Sequence, residues 1–127
     1  MSNRFYICKV CKNTVGLIHA GEKPLSCCGE WMTHMPIRNE KEAEQKHKPK
    51  VTVSDNKVTV DVGTVMHPMT DTHNISWIYL ETDRGGQRKR LQPGSVPKAE
   101  FALLNEKPTA AYSFCSMHGL WKTDIDG

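Results

Sequence analysis

Four of the chain's 5 cysteines, Cys8, Cys11, Cys27 and Cys28, fall within the first 28 residues, and they decide what that stretch can become. A segment this short buries too little apolar surface to offset the entropy of ordering its backbone, so it needs a staple. Cys8-Lys9-Val10-Cys11, followed after fifteen residues by Cys27-Cys28-Gly29, supplies one. A Cys-x-x-Cys turn aims two thiolates at one ion, and the second pair completes a tetrahedral set of four sulfurs that suits zinc or a single iron. The second pair has no spacer, so a distorted tetrahedron is expected. A vicinal disulfide is the poorer alternative. Met1-Ser2-Asn3-Arg4-Phe5 lacks the apolar stretch of a secretory signal, which makes a reducing, cytoplasmic setting the expectation, and there thiols more often hold metals than pair.

Residues 38–50 are charged almost throughout and read as a linker or a solvated turn of helix. The chain therefore divides into a small metal-stapled domain at 1–37, a linker at 38–50 and a second domain at 51–127. In the second domain the pattern has period two. Lys57-Val58-Thr59-Val60-Asp61-Val62 alternates as a half-buried strand does, and residues 74–81 are dense enough for a central strand covered on both faces. Residues 100–104 and 111–114 are two further strands, with turn signals at 54–56, 84–86 and 93–95. Short, regularly spaced strands without helical patterns between them predict an all-β sandwich. The 38% hydrophobic and 7% aromatic content agrees with two small units rather than one large core.

The 6 histidines point to a second constellation. His47 ends the linker, His67 and His73 flank a short turn, and Cys115-Ser116-Met117-His118 follows the last clear strand. Each alone has a bland reading: a loop histidine is commonly a surface group, and a lone cysteine a small buried hydrophobe. Together they lie beside loops or strand ends, where functional groups collect. Cys-x-x-His is a compact bidentate unit, and mixed imidazole and thiolate donors suit iron, copper or zinc. His19 and His34 have no such partners and read as ordinary surface residues.

The formal charge of +3 is too weak to argue for nucleic acid, and no apolar run approaches the roughly 20 residues that span a membrane. What charge there is concentrates early: residues 1–50 carry nine Lys/Arg and five Asp/Glu, a net of +4.

In order and spacing these motifs resemble the desulfoferrodoxins, the two-iron superoxide reductases. Cys8-x-x-Cys11 and Cys27-Cys28-Gly29 are similar to the desulforedoxin iron centre. Lys46-His47-x-Pro49, Gly63-Thr64-Val65-Met66-His67-Pro68-Met69, His73-x-Ile75-x-Trp77-Ile78, Pro93-Gly94, Pro97-x-Ala99-Glu100-Phe101 and Cys115-x-x-His118-Gly119-Leu120-Trp121-Lys122 resemble the neelaredoxin-like catalytic domain. The resemblance covers roughly residues 5–122. It implies an immunoglobulin-like β-sandwich and two mononuclear irons, one held by Cys8, Cys11, Cys27 and Cys28. The other would be held by His47, His67, His73 and His118 in one plane, with Cys115 as the axial thiolate and the opposite position open in the ferrous state. Lys46 matches the family's catalytic lysine beside that position. The implied activity is one-electron reduction of superoxide to hydrogen peroxide. A rubredoxin-type carrier would re-reduce the iron, the chain would be a homodimer, and neither nucleic acid nor membrane would take part. One position departs from the pattern: Gln45 stands where the family usually has the glutamate that closes the sixth position of the oxidised iron, and the sixth ligand is left unassigned. Two other readings of the residues stay in play, an electron-transfer iron protein and a non-catalytic metal-binding protein.

Overall fold

The computed structural model describes residues 4–63 and 67–125, with the side chains of Glu42 and Gln45 outside that description. The chain forms two compact units, Met1–Pro36 and Ile37–Gly127.

The first unit is built from very short strands. Strands β1 (Phe5–Ile7), β2 (Thr14–Gly16) and β5 (Thr33–His34) form a sheet in the order β2-β1-β5, and β3 (Ser26–Cys27) pairs with β4 (Glu30–Trp31) as a separate ribbon. Its buried apolar residues are Cys8 and Met35 among those described. That is far too small a core to hold the unit by burial at about 1.5–3 kcal/mol per large side chain.

The second unit is a sandwich. Helix α1 (Lys41–His47) runs directly into β6 (Pro49–Ser54), so residues 38–50 hold a helix and the start of a strand. Pro49 sits at the first position of β6, where its missing N–H does least harm to a ladder. Strand β6 pairs with β7 (Lys57–Val62) through a two-residue Asp55-Asn56 turn, and Asp55 takes the positive φ that such a turn requires. With β10 (Lys98–Ala102) these form a three-stranded sheet in the order β10-β7-β6. The facing sheet has the order β12-β11-β8-β9 and comprises β8 (Ile75–Thr82), β9 (Gly85–Arg90), β11 (Pro108–Cys115) and β12 (Gly119–Asp124). Val58, Val60 and Val62 from one sheet meet Ile75, Ile78, Leu80 and Ala111 from the other, with Phe101 and Cys115 in the same cluster. The layers are those of an immunoglobulin-like sandwich, the all-β architecture expected from the period-two pattern.

Strand β8 is central in its sheet but only one of its faces is fully buried; Trp77, Tyr79 and Glu81 on the other face are half-buried. There Trp77 stacks on Phe114 with ring centroids 5.4 Å apart, so aromatic contacts replace a second covering layer. The β8–β11 register slips between Phe114 and Cys115, which face Trp77 and Ile75 respectively. Ser76 is the extra residue of this bulge, and the slip lets Ile75 point inward opposite Cys115.

Candidate metal centres

Among the described residues, two groups of side chains bring ligand atoms within 4.8 Å of one another: Cys8, Cys11, Cys27 and Cys28 in the first unit, and His47, His67, His73, Cys115 and His118 in the second. Every residue expected to ligate metal is in one of the two groups. His19 and His34 are exposed and in neither.

Local backbone geometry explains the sulfur group. Cys8 closes β1, its amide donates to the Asn13 carbonyl and its carbonyl accepts from the Lys12 amide at 2.8 Å, which winds Cys8–Cys11 into a tight knuckle. Lys12 takes positive φ to leave it. Cys27 ends β3, and Cys28-Gly29 form the two-residue turn into β4, with φ of 54° and 75°. Such a turn needs two left-handed residues, a cost that a non-glycine residue bears only where something holds it. The turn swings the two adjacent thiols onto one centre. Cys11 and Cys27 sulfurs are 3.6 Å apart and Cys27 and Cys28 sulfurs 3.9 Å apart. Four sulfurs at about 2.3 Å from one ion in a regular tetrahedron are about 3.8 Å apart. The donors therefore fit a tetrahedral ion, and for these pairs the distortion expected from adjacency is small because Cys28 turns left-handed.

The same group sorts its protons. Amides of Cys11 and Val10 donate to the Cys8 sulfur and hold that thiol at about 6, against the opposing effect of burial. The Cys28 thiol, crowded by the Cys11, Cys27 and Cys8 sulfurs, is pushed up to about 12, and Cys27 is raised chiefly by Cys11. A cation entering the group finds the Cys8 thiolate readily formed and must displace the protons that Cys27 and Cys28 hold.

In the second unit the five donors arrive from four places. His47 is the last residue of α1, His67 and His73 lie in the segment leading into β8, Cys115 ends β11, and His118 sits in the turn before β12. The imidazoles form a closed cycle: centroid separations are 4.7 Å for His47–His67, 4.8 Å for His67–His73, 5.1 Å for His73–His118 and 4.6 Å for His118–His47. The Cys115 sulfur lies 3.3 Å from His67 Nε2 and 3.5 Å from His118 Nδ1, two opposite members of that cycle. Four donors at the corners of a square with the sulfur on one side satisfy these distances together.

Second contacts set which nitrogen points inward. His47 Nδ1 donates to the Ala43 carbonyl at 2.8 Å, one helical turn earlier, and its Nε2 lies 3.1 Å from His118 Nδ1. His67 Nδ1 donates to the Pro68 carbonyl at 2.7 Å, leaving Nε2 toward Cys115. His73 Nε2 is buried without a hydrogen-bond partner, an orphan that metal ligation would satisfy. Adjacent nitrogens at about 2.1 Å from one ion and at right angles are about 3.0 Å apart, close to the His47–His118 separation. The residues fit a transition metal bound by three Nε2 atoms, one Nδ1 and one sulfur. Trp121 stacks on the His47 ring at 5.0 Å and 12°, and Ser113 Oγ donates to the His47 carbonyl at 2.6 Å.

Burial favours the neutral, ligating form of two of these imidazoles. It pulls His67 down to about 4 and lowers His47, where repulsion from neighbouring groups, Lys46 among them, works in the same direction. Cys115 is raised by burial, while the amides of Met117 and His118 work the other way by donating to its sulfur. Lys46 is exposed on α1, one residue before His47. The Gln45 side chain lies outside the described residues, as do Thr64, Val65 and Met66 of the motif that ends in His67-Pro68-Met69.

Arg38 was not singled out from the sequence. Its guanidinium donates from Nη1 to the His118 carbonyl at 3.0 Å and from Nε to Glu40 at 2.8 Å. It sits in the charged run, and no periodicity marks a residue whose partner is a backbone carbonyl 80 positions away.

The family model described as "Desulfoferrodoxin" matches residues 39–124, and that described as "Desulfoferrodoxin, N-terminal domain" matches residues 2–35. A desulfoferrodoxin homolog from Archaeoglobus fulgidus is 42% identical over 93% of this chain and 94% of its own length. The desulfoferrodoxin of Nitratidesulfovibrio vulgaris is 40% identical over 98% and 99%. Among solved structures, the superoxide reductase from Treponema pallidum superposes with a TM-score of 0.81 at 32% identity, covering 97% of this chain and 98% of that one.

Proposed function

The chain belongs to the desulfoferrodoxin family, and from that premise we propose that it is a superoxide reductase with iron in both donor groups. The observation that carries the reading is the square of four imidazoles with the Cys115 sulfur on one side. In this assignment residues 1–37 form the desulforedoxin-like domain, 38–50 bring in Lys46 and His47, and 51–127 complete the catalytic sandwich. His47, His67, His73, His118 and Cys115 hold the catalytic iron, and Cys8, Cys11, Cys27 and Cys28 hold the other.

Bound ferrous iron supplies the single electron that the reaction needs. The protein's part is placement and charge. An iron held by His47, His67, His73, His118 and the Cys115 thiolate would favour a small anion, and Cys115 would be its electron-rich donor. Lys46 adds a positive charge at the mouth, and such focusing raises association by about 10-fold or more. Superoxide, one electron and two protons give hydrogen peroxide, so an outside reductant must return the electron each turnover; a rubredoxin-type carrier is the proposed donor. A homodimer in the cytoplasm completes the reading, as the family resemblance implies. Among the described residues no helix is long and apolar enough to cross a membrane.

The test is a pulse of superoxide on the anaerobically reduced protein, with peroxide and oxygen followed together. One peroxide per superoxide without oxygen is expected. Oxygen release at half the superoxide consumed would mean dismutation and would overturn the proposal.

A further inference from the structure

Arg38 and Glu40 join two segments that each carry ligands of the histidine group. Around Arg38, the backbone amide donates to the Leu120 carbonyl at 2.8 Å, Nη1 donates to the His118 carbonyl at 3.0 Å, and Nε donates to Glu40 Oε1 at 2.8 Å. Nη2 shares the same carboxylate oxygen. Glu40 caps the start of α1, its carbonyl accepting from the Ala43 amide at 3.0 Å, and α1 ends in His47. Ile37 bridges to Leu120 in the same stretch. Gly119 lies beneath the side chain with φ of +88°, where a Cβ would stand 3.4 Å from Arg38 Cγ. The glycine serves the turn, whose φ an L side chain rarely adopts, while the arginine packs at ordinary contact distance above it.

We infer that Arg38 and Glu40 form a clasp that positions the Cys115–His118 loop against the helix ending in His47. The inference rests on the reading of the five residues as one metal site. The two ligands it joins are direct neighbours, His47 Nε2 and His118 Nδ1 being 3.1 Å apart. A slip of the loop against the helix therefore changes the donor gap itself. An arginine suits the task because its planar fork serves a carbonyl and a carboxylate in fixed directions, which a lysine ammonium does not. The pair is 40% exposed on each side chain, so as an ordinary surface ion pair it would matter little to anything. The clasp differs from that in its third partner, the carbonyl of a ligand residue. Contacts behind metal ligands typically carry 10- to 100-fold in metal affinity.

Cobalt(II) titration of the metal-free full chain tests this without superoxide chemistry, so its outcome is separate from that of the peroxide measurement. Paramagnetically shifted imidazole N–H signals report the histidine group alone, and the intense visible d–d bands of tetrahedral cobalt in the four-cysteine group serve as the internal control. Arg38→Ala and Glu40→Gln should each weaken cobalt at the histidine group about tenfold or more, shift the His47 and His118 signals, and leave the four-cysteine group unchanged. Arg38→Lys should fail to restore the wild-type signals. Unchanged affinity and signals in Arg38→Ala would overturn the clasp, and so would full rescue by Arg38→Lys. Should Arg38→Ala not fold, Glu40→Gln, which keeps size and shape, decides: wild-type cobalt binding there refutes the inference.

Discussion

Lys46 and His67 show how single side chains tune this protein through charge. Lys46 is exposed beside a ligand residue, where it contributes a field and no packing. Replacing it by alanine should slow superoxide association about tenfold and flatten its dependence on ionic strength; stopped-flow rates at low and high salt check this, and identical slopes would remove the steering role. His67 acts through its burial. Its folded pKa of about 4 lies below the ordinary 6.5, so between those values the unfolded chain binds the proton and the folded chain does not. Stability therefore falls as pH drops through that window and levels off below about 4, and the lowered His47 adds the same sign. The metal-free protein should lose on the order of 2–3 kcal/mol between pH 7.5 and 4.5 from His67 alone, read from urea midpoints of the second unit. A flat profile would contradict the buried, neutral imidazole.

The β8–β9 hairpin shows what strand pairing demands of a glycine. A Cβ on Gly86 would stand 2.0 Å from the Tyr79 hydroxyl oxygen and 2.2 Å from its ring. Gly86→Ala must displace that ring and should cost about 1–3 kcal/mol, the range for overpacked sites. Thermal denaturation checks it, and Tyr79→Ala in the same chain should remove most of the additional loss. Strand β9 also marks the limit of what the sequence discloses. Strands β7, β8 and β10 were legible because each lays alternate apolar residues into the core, and β11 because Ala110–Tyr112 form a continuous buried apolar stretch. Gly85–Arg90 contains no apolar residue, since an edge strand needs only its backbone to pair with β8. Helix α1 falls in the charged run at 38–50, which reads as a linker or a solvated turn of helix, while β6 was hidden because Pro49–Ser54 offers only Val51 and Val53 as apolar side chains after its proline. The nine metal donors stood out by residue type and spacing. The groups that aim them, the Ala43 carbonyl, Ser113 and Arg38, act through backbone atoms that no motif encodes.

Across the whole chain the two donor groups belong to separate compact units and depend on different forces. The first unit has almost no core and relies on its ion, whereas the sandwich has a core of its own. Cys8→Ser or Cys28→Ser should therefore abolish the first metal centre while superoxide reduction stays within about twofold of wild type, the margin of an additive change in a separate folding unit. A collapse of activity with the histidine group still loaded would instead make the sulfur centre part of turnover. The bulge at Ser76 has a consequence for how such a chain can change length over time. Residues on its N-terminal side include His73, and those opposite include Cys115. Deleting Ser76 itself would leave Ile75 opposite Cys115 in a regular ladder, whereas deleting Asn74 would draw His73 back by about 3.3 Å. Length can therefore change at the bulge itself, but the count of residues from His73 to Ile75 places a ligand residue relative to Cys115.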